Sequence, residues 1–295
     1  MRSIIRWLST GVLGLALLFW FLTRPALITP GDIPDHEADS VNGEQVFYAG
    51  GCASCHEDGL GGGLEMKTAF GIFRVPNISP DTVTGVGGWT RLDFVNAMLR
   101  GVSPDGSHYF PAFPYTSYTR MNVRDVIDLK AYIDNLEPVN NRVADHELRF
   151  PWNVRRGIGL WKLRYLNQVP PHGLHSEDPS VERGRYLVEG AGHCAECHTP
   201  RDQFGGLITN RWLAGGPNPD GEGKVPNITP HSDGLKSWTK KDIAYYLASG
   251  LTPDFDTVGG AMVKVQEKLA HLPESDLRAI AAYLKTIPDR PDTGD

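Results

Sequence analysis

Sulfur is scarce in this 295-residue sequence, which has four cysteines and five methionines. All four cysteines fall into two C-x-x-C pairs, so none is left to build a disulfide framework. Basic side chains are outnumbered, 29 against 35 acidic ones, and a formal charge of −6 excludes a partner bound by neutralising phosphates, so nucleic acid is not expected. There is no glycine fingerprint for a dinucleotide, no phosphate loop, and no further cluster with metal-ligand spacing. No segment reads convincingly as a strand, whereas apolar residues recur three and four apart, so the fold class expected is all-α. The length suggests about two domains.

Long apolar runs are absent except at the N-terminus. Arg2 and Arg6 precede an uncharged run from Trp7 to Thr23, followed by Arg24-Pro25. No small-x-small cleavage site follows, so residues 1–28 are expected to act as an uncleaved anchor crossing the inner membrane through residues 4–23. The basic start places the body on the periplasmic side. Residues 29–40 read as a polar tether. The exported part then has 26 basic against 35 acidic side chains, which suits a redox partner with a basic docking patch.

The four cysteines stand in Cys52-Ala53-Ser54-Cys55-His56 and Cys194-Ala195-Glu196-Cys197-His198. C-x-x-C-H is the attachment pattern of a c-type haem: two thiols three positions apart on a turn can each add to one vinyl group of the same porphyrin. The histidine that follows then lies beneath the iron. Two covalently attached haems c are therefore expected, with His56 and His198 as proximal iron ligands. A zinc site would require the two pairs to converge and would leave both histidines unexplained.

The chain around these motifs repeats itself. Val75-Pro76-Asn77-Ile78-Ser79-Pro80 returns as Val225-Pro226-Asn227-Ile228-Thr229-Pro230, and Trp89 and Trp238 each stand 12 residues before a glycine, Gly101 or Gly250. Internal duplication with one haem per repeat is the simplest account. The repeats are bounded as 41–140 and 181–290. Helices are expected over 43–50, 92–100 and 122–135, and again over 183–190, 240–249 and 274–285. The segment 141–180 between them carries a helix over 153–166 that is too apolar for a free linker, followed by Pro170-Pro171. His172 and His175 in that turn are read as solvated residues, not ligands.

An electron-transfer haem needs a second axial ligand, and methionine favours the ferrous state. Met262, in Gly259-Gly260-Ala261-Met262, is the expected ligand of the second haem, because the glycines let backbone approach closely. In the first repeat, aligning Gly101 with Gly250 puts Phe113 where Met262 stands. Met121 is the first choice there, with His108 or an open iron as alternatives. Met66 lies too near the haem motif, and Met98 reads as core. Trp89 and Trp238 are candidates to donate to a haem propionate, with Asn77 and Asn227 holding the same loops; aromatic core with turn-forming asparagine is the competing reading. The carbonyls of Pro76 and Pro226 are candidates to orient the proximal histidines.

These motifs carry a family resemblance. Val75-Pro76-Asn77-Ile78-Ser79-Pro80-Asp81, Thr84-Gly85-Val86-Gly87-Gly88-Trp89-Thr90, Pro104-Asp105-Gly106 and Phe110-Pro111-Ala112-Phe113-Pro114-Tyr115 resemble the cytochrome c subunits of bacterial membrane-bound dehydrogenases, the alcohol and gluconate types among them. Cys197-His198-Thr199-Pro200-Arg201 and Ala281-Ala282-Tyr283-Leu284 in the second repeat are similar to the same family. The resemblance implies two tandem class I-like cytochrome c domains with His/Met haems, passing electrons from a periplasmic dehydrogenase subunit to a respiratory-chain acceptor. Those subunits usually carry three haems, and many have methionine where Phe113 stands. The competing function is a peroxidase-like dihaem oxidoreductase with an open haem in the first domain.

Overall fold

The computed structural model describes residues 2–167, 176–218 and 223–292. Pro170, Pro171, His172 and His175 lie outside the described residues. The chain opens with helix α1 (Arg2–Leu22). A first unit follows, with α2 (Ser40–Ala49), α3 (Cys52–His56), strands β1 (Glu65–Thr68) and β2 (Gly71–Arg74), then α4 (Arg91–Arg100), α5 (Tyr115–Tyr118) and α6 (Val123–Asp134). Strand β3 (Glu147–Leu148) and α7 (Ile158–Tyr165) form the connection. The second unit holds α8 (Pro179–Tyr186), α9 (Ala195–His198), short strands β4 (Gly216–Pro217) and β5 (Lys224–Val225), α10 (Lys240–Ser249), α11 (Met262–Leu269) and α12 (Glu274–Leu284).

The helices end where local chemistry predicts. Thr90 and Thr239 each close a capping box with the aspartate three residues on, and Gly101 (φ 59°) and Gly250 (φ 74°) take the left-handed turn that stops α4 and α10. In each unit the first and last helices cross at a glycine. A Cβ on Gly43 would sit 2.0 Å from the Asp128 carbonyl, and one on Gly184 would sit 1.9 Å from the Ala279 carbonyl, so backbone packs on backbone at both crossings. Val126, Leu129, Ile133, Leu277, Ile280 and Leu284 are buried in the core as their spacing predicts.

The all-α expectation needs correction in detail. Residues 65–74 form a β-hairpin, joined by β3 into a three-stranded antiparallel sheet, and β4 pairs with β5. These strands have two to four residues, too short to show an alternating pattern. The connecting helix is also shorter than expected, with a 3-10 turn over Arg155–Gly157 ahead of Ile158–Tyr165.

Residues 28–39 lie along the first unit as a strap. The backbone of Ile28 pairs with the Asn96 carboxamide at 2.8 and 3.2 Å, and His36 and the Asp39 N–H both reach the Asp128 carboxylate, at 2.7 and 2.8 Å. Among the described residues no helix is long and apolar enough to cross a membrane. The side chains of residues 1–5 and of Leu8 are outside that description. The rest of α1 presents bare apolar surface, with Leu13, Leu15, Leu17 and Phe21 each 59–68% exposed.

Candidate functional site: the paired C-x-x-C-H turns

Each C-x-x-C-H run is a single helical turn reached through a left-handed residue, Gly51 (φ 55°) in the first unit and His193 (φ 38°) in the second. The turn puts the two cysteines on one face, as positions three apart require. None of the four forms a disulfide. Burial, reinforced by the neighbouring cysteine, pushes the Cys52 and Cys194 thiols up to about 12, so both are neutral thiols in the metal-free protein. Among the described residues no three or more His, Cys, Asp or Glu side chains converge to hold a metal ion, so the two pairs do not form a shared zinc site.

The proximal side is built identically in the two units. His56 Nδ1 lies 2.7 Å from the Pro76 carbonyl and His198 Nδ1 lies 2.8 Å from the Pro226 carbonyl. A carbonyl accepts only, so Nδ1 carries the proton and Nε2 is the nitrogen with a lone pair for iron. Burial lowers His56 to about 4 against the opposing effect of the Pro76 carbonyl, and lowers His198 in the same way, so both rings are neutral at physiological pH. His56 keeps some accessible surface, but protein surrounds its ring densely enough to disfavour the charged form.

Asn77 and Asn227 hold the loops that supply these carbonyls. Asn77 donates to the Val139 carbonyl at 2.6 Å and accepts the Ser79 N–H; Asn227 donates to the Arg290 carbonyl at 2.7 Å and accepts the Thr229 N–H. Their side chains are thus spent on backbone. Two glycines that the sequence reading passed over are needed at the same place. A Cβ on Gly62 (φ 69°) would lie 2.4 Å from the Pro76 carbonyl, and one on Gly215 (φ 73°) 2.6 Å from the Val225 carbonyl. Their signal was the matching glycine runs at 61–63 and 215–216.

Trp89 and Trp238 stand just before the capped helices α4 and α10, half-buried against the core.

On the distal side, Met262 is the first residue of α11 and packs half-buried against the core. Met121 is 6% exposed, and a Cβ on Gly190 of the second unit would lie 3.5 Å from its Cγ. Its N–H donates to the Tyr118 carbonyl as that of Leu272 does to the Leu269 carbonyl, so Met121 and Leu272 occupy equivalent places. Phe113 sits among the rings of Tyr109, Tyr115 and Tyr118. His108 is buried with Nε2 2.9 Å from the Thr23 carbonyl, which ties it to the end of α1. Met66 pairs with Phe73 in the hairpin, and Met98 is in the core.

The two turns face each other through equivalent residues. Counting back from the first cysteine, Gly50 corresponds to Gly192 and Ala49 to Ala191. A Cβ on Gly50 would lie 3.6 Å from the Ala191 carbonyl, and one on Gly192 would lie 3.6 Å from the Ala49 carbonyl. His193 Nε2 also reaches the Gly50 carbonyl at 3.1 Å. The residue before the second cysteine crosses to the other unit in both directions. Ser54 Oγ donates to the Lys264 carbonyl on α11 at 3.1 Å, and the Glu196 carboxylate accepts from Thr116 and Ser117 on α5 at 2.6 and 2.8 Å. Arg201 completes this buried cluster, 2.6 Å from Glu196. Burial raises the Glu196 carboxyl, but the Arg201 charge and the two hydroxyls outweigh it and hold it below the ordinary glutamate value. The reciprocal contacts join different units, so the periodicity within either one held no signal for them.

The family model for cytochrome c matches residues 40–137 and 181–288. A dihaem c-type cytochrome of Cereibacter sphaeroides is 47% identical over 97% of this chain and 98% of its own length. The cytochrome subunit of fructose dehydrogenase from Gluconobacter japonicus is 33% identical over 92% of this chain, which spans 57% of that subunit. The gluconate 2-dehydrogenase cytochrome c subunit of Pantoea cypripedii is 34% identical over 92% of this chain and 64% of its own length. The site fits covalent haem twice over, with paired thiols in a C-x-x-C turn and a neutral imidazole oriented through Nδ1. The chain belongs to the cytochrome c family and carries two covalently bound haems c.

Proposed function

We propose that this protein is a membrane-anchored periplasmic electron relay, passing electrons from a dehydrogenase-type donor through two haems in series to a respiratory acceptor. The observation that carries the reading is the reciprocal contact between the two C-x-x-C-H turns, which brings the attachment edges of both sites together. Bound haem supplies one-electron exchange between ferric and ferrous iron. The chain's own groups do the rest. Cys52 and Cys55, and Cys194 and Cys197, hold the two groups covalently. His56 and His198 ligate through Nε2 while Pro76 and Pro226 fix ring orientation and basicity. Trp89 and Trp238 donate to propionates. Met121 and Met262 are the sixth ligands, within domains spanning 41–140 and 181–290. His108 donates through Nε2 to the Thr23 carbonyl, which leaves its buried Nδ1 with no protein partner and keeps it as the alternative ligand.

Two observations support membrane attachment and a dehydrogenase donor. The apolar side chains of α1 have no protein to cover them. Relatives named as dehydrogenase cytochrome subunits match along most of this chain.

A second reading is favoured by Phe113 and by the equivalence of Met121 with the core residue Leu272. In it the first iron lacks a protein sixth ligand and the protein reduces peroxide. Hydrogen peroxide turnover with a reduced donor separates the two. The relay reading requires both sites to take and release electrons without consuming peroxide, and sustained peroxide reduction would overturn it.

A further inference from the structure

Residues 149–167 contain four arginines, one lysine and no acidic residue, in a protein that is acidic as a whole. The same stretch exposes large apolar side chains. Phe150 is 80% exposed, Leu163 67%, Val154 44% and Leu160 43%, with Trp152 at 36%. Leu160 and Leu163 are three apart on α7 and share its outer face, while Gly159, Lys162, Tyr165 and Leu166 hold the opposite face in the protein.

This segment is fastened to the end of α1. Thr23 is fully buried, and a Cβ on Gly159 would lie 2.6 Å from its Cα. Arg156 donates to Thr23 Oγ1 and to the Trp20 carbonyl, both at 2.9 Å. Arg155 lies over the Phe110 ring and donates to the His108 carbonyl. Two of the arginines thus fix the segment to the body and to α1. Arg149 and Arg164 are exposed beside the apolar side chains.

We infer that residues 149–166 form a foot on the bilayer surface, with Phe150, Trp152, Val154, Leu160 and Leu163 entering the interfacial layer and Arg149 and Arg164 meeting anionic headgroups. This rests on the reading of α1 as a membrane anchor. Three features favour lipid as the occupant. The patch is fastened to the end of α1, where Arg156 lies over the exposed Trp20 ring, it combines aromatic and aliphatic residues with arginine, and its charge is opposite to that of an anionic leaflet. Because Gly159 and Arg156 fix the foot to Thr23, the foot and α1 together set the angle at which the haem domains stand on the membrane. A single flexible tether could not do this.

The test is hydrogen–deuterium exchange of the full-length haem-loaded protein on phosphatidylglycerol-containing vesicles, compared with detergent-free buffer below the aggregation threshold. Exchange over 149–166 is expected to slow about fivefold or more on vesicles. The triple substitution Phe150→Ser, Leu160→Ser, Leu163→Ser should abolish that protection while the protein still sediments with the vesicles. Arg149→Glu provides a second variant, at an exposed side chain, and should weaken protection in the same region. Sedimentation without protection overturns the foot and leaves the anchor standing. Failure to sediment overturns the anchor and the foot with it. Protection that appears only with an added protein, and not with vesicles, reassigns the patch to a protein partner and also overturns the proposal.

Discussion

Glu196→Ala is the most incisive test of how the two units are held together. The carboxylate is 8% exposed and accepts three short bonds, from Thr116 at 2.6 Å, Ser117 at 2.8 Å and Arg201 at 2.6 Å. Its removal leaves the fully buried Ser117 hydroxyl without this acceptor and strips Arg201 of its countercharge. Losing one partner of a largely buried ion pair costs about 3–5 kcal/mol, and the 29% exposure of Arg201 favours the lower end. A loss of about 3 kcal/mol corresponds to about 6–12 °C in unfolding midpoint for a body of this size. Glu196→Gln keeps an acceptor oxygen and should lose about half as much. The pH dependence has a definite sign. The folded carboxyl sits below the ordinary glutamate value of 4.5, so its stabilisation is complete above that value and is lost as pH falls through the lower folded one. Glu196→Gln should therefore flatten the acid limb of the stability curve. Thermal unfolding followed through the Soret bands reads both effects. A loss below about 0.5 kcal/mol for Glu196→Ala, typical of an ordinary surface pair, would refute the claim that this cluster joins the units.

Two further outcomes follow from the same geometry. Gly62→Ala forces a Cβ to within 2.4 Å of the Pro76 carbonyl at a φ of 69° and should cost about 2–4 kcal/mol; redox titration should show the first haem's potential shifted and the second's unchanged. Lys162 donates to the Arg100 and Gly101 carbonyls at 2.7 and 2.6 Å with no carboxylate beside it, and burial lowers its ammonium to about 7. Between about pH 7 and its ordinary 10.5 the unfolded chain holds a proton that the folded chain releases, so stability should rise with pH across that window, by at most about 1.4 kcal/mol per pH unit. Lys162→Met should remove that rise in a denaturant titration series, and an unchanged slope would count against it.

The parts of this molecule that could be read in advance are those where a local pattern carries its own chemistry. The C-x-x-C-H runs, the V-P-N-I repeat and the glycines that stop α4 and α10 each specify a backbone state or a ligand within a few residues. The Pro76 and Pro226 carbonyls were anticipated because a metal-bound imidazole needs an acceptor at Nδ1 and the repeat offered the same loop twice. The hairpin over 65–74 escaped because four-residue strands leave too short a period. The strap over 28–39 escaped because its partners, Asn96 and Asp128, are 68 to 92 residues away in sequence. Ser54 and Glu196 look like arbitrary fillers inside their motifs, and only the opposed arrangement of the two units makes them contacts. Met121 is the instructive residue on the distal side, since its burial suits a ligand and its equivalence with Leu272 suits a packing residue equally well.

The measurement that reaches the central claim most directly is the optical and EPR spectrum of the haem-loaded protein with and without carbon monoxide, for wild type, Met121→Ala and Met262→Ala. Two six-coordinate electron-transfer haems predict two low-spin signals that ignore carbon monoxide in wild type, and one newly high-spin, carbon monoxide-binding haem in each variant. A wild-type protein that already shows a high-spin haem binding carbon monoxide, unchanged by Met121→Ala, would contradict the relay and place an open iron in the first unit.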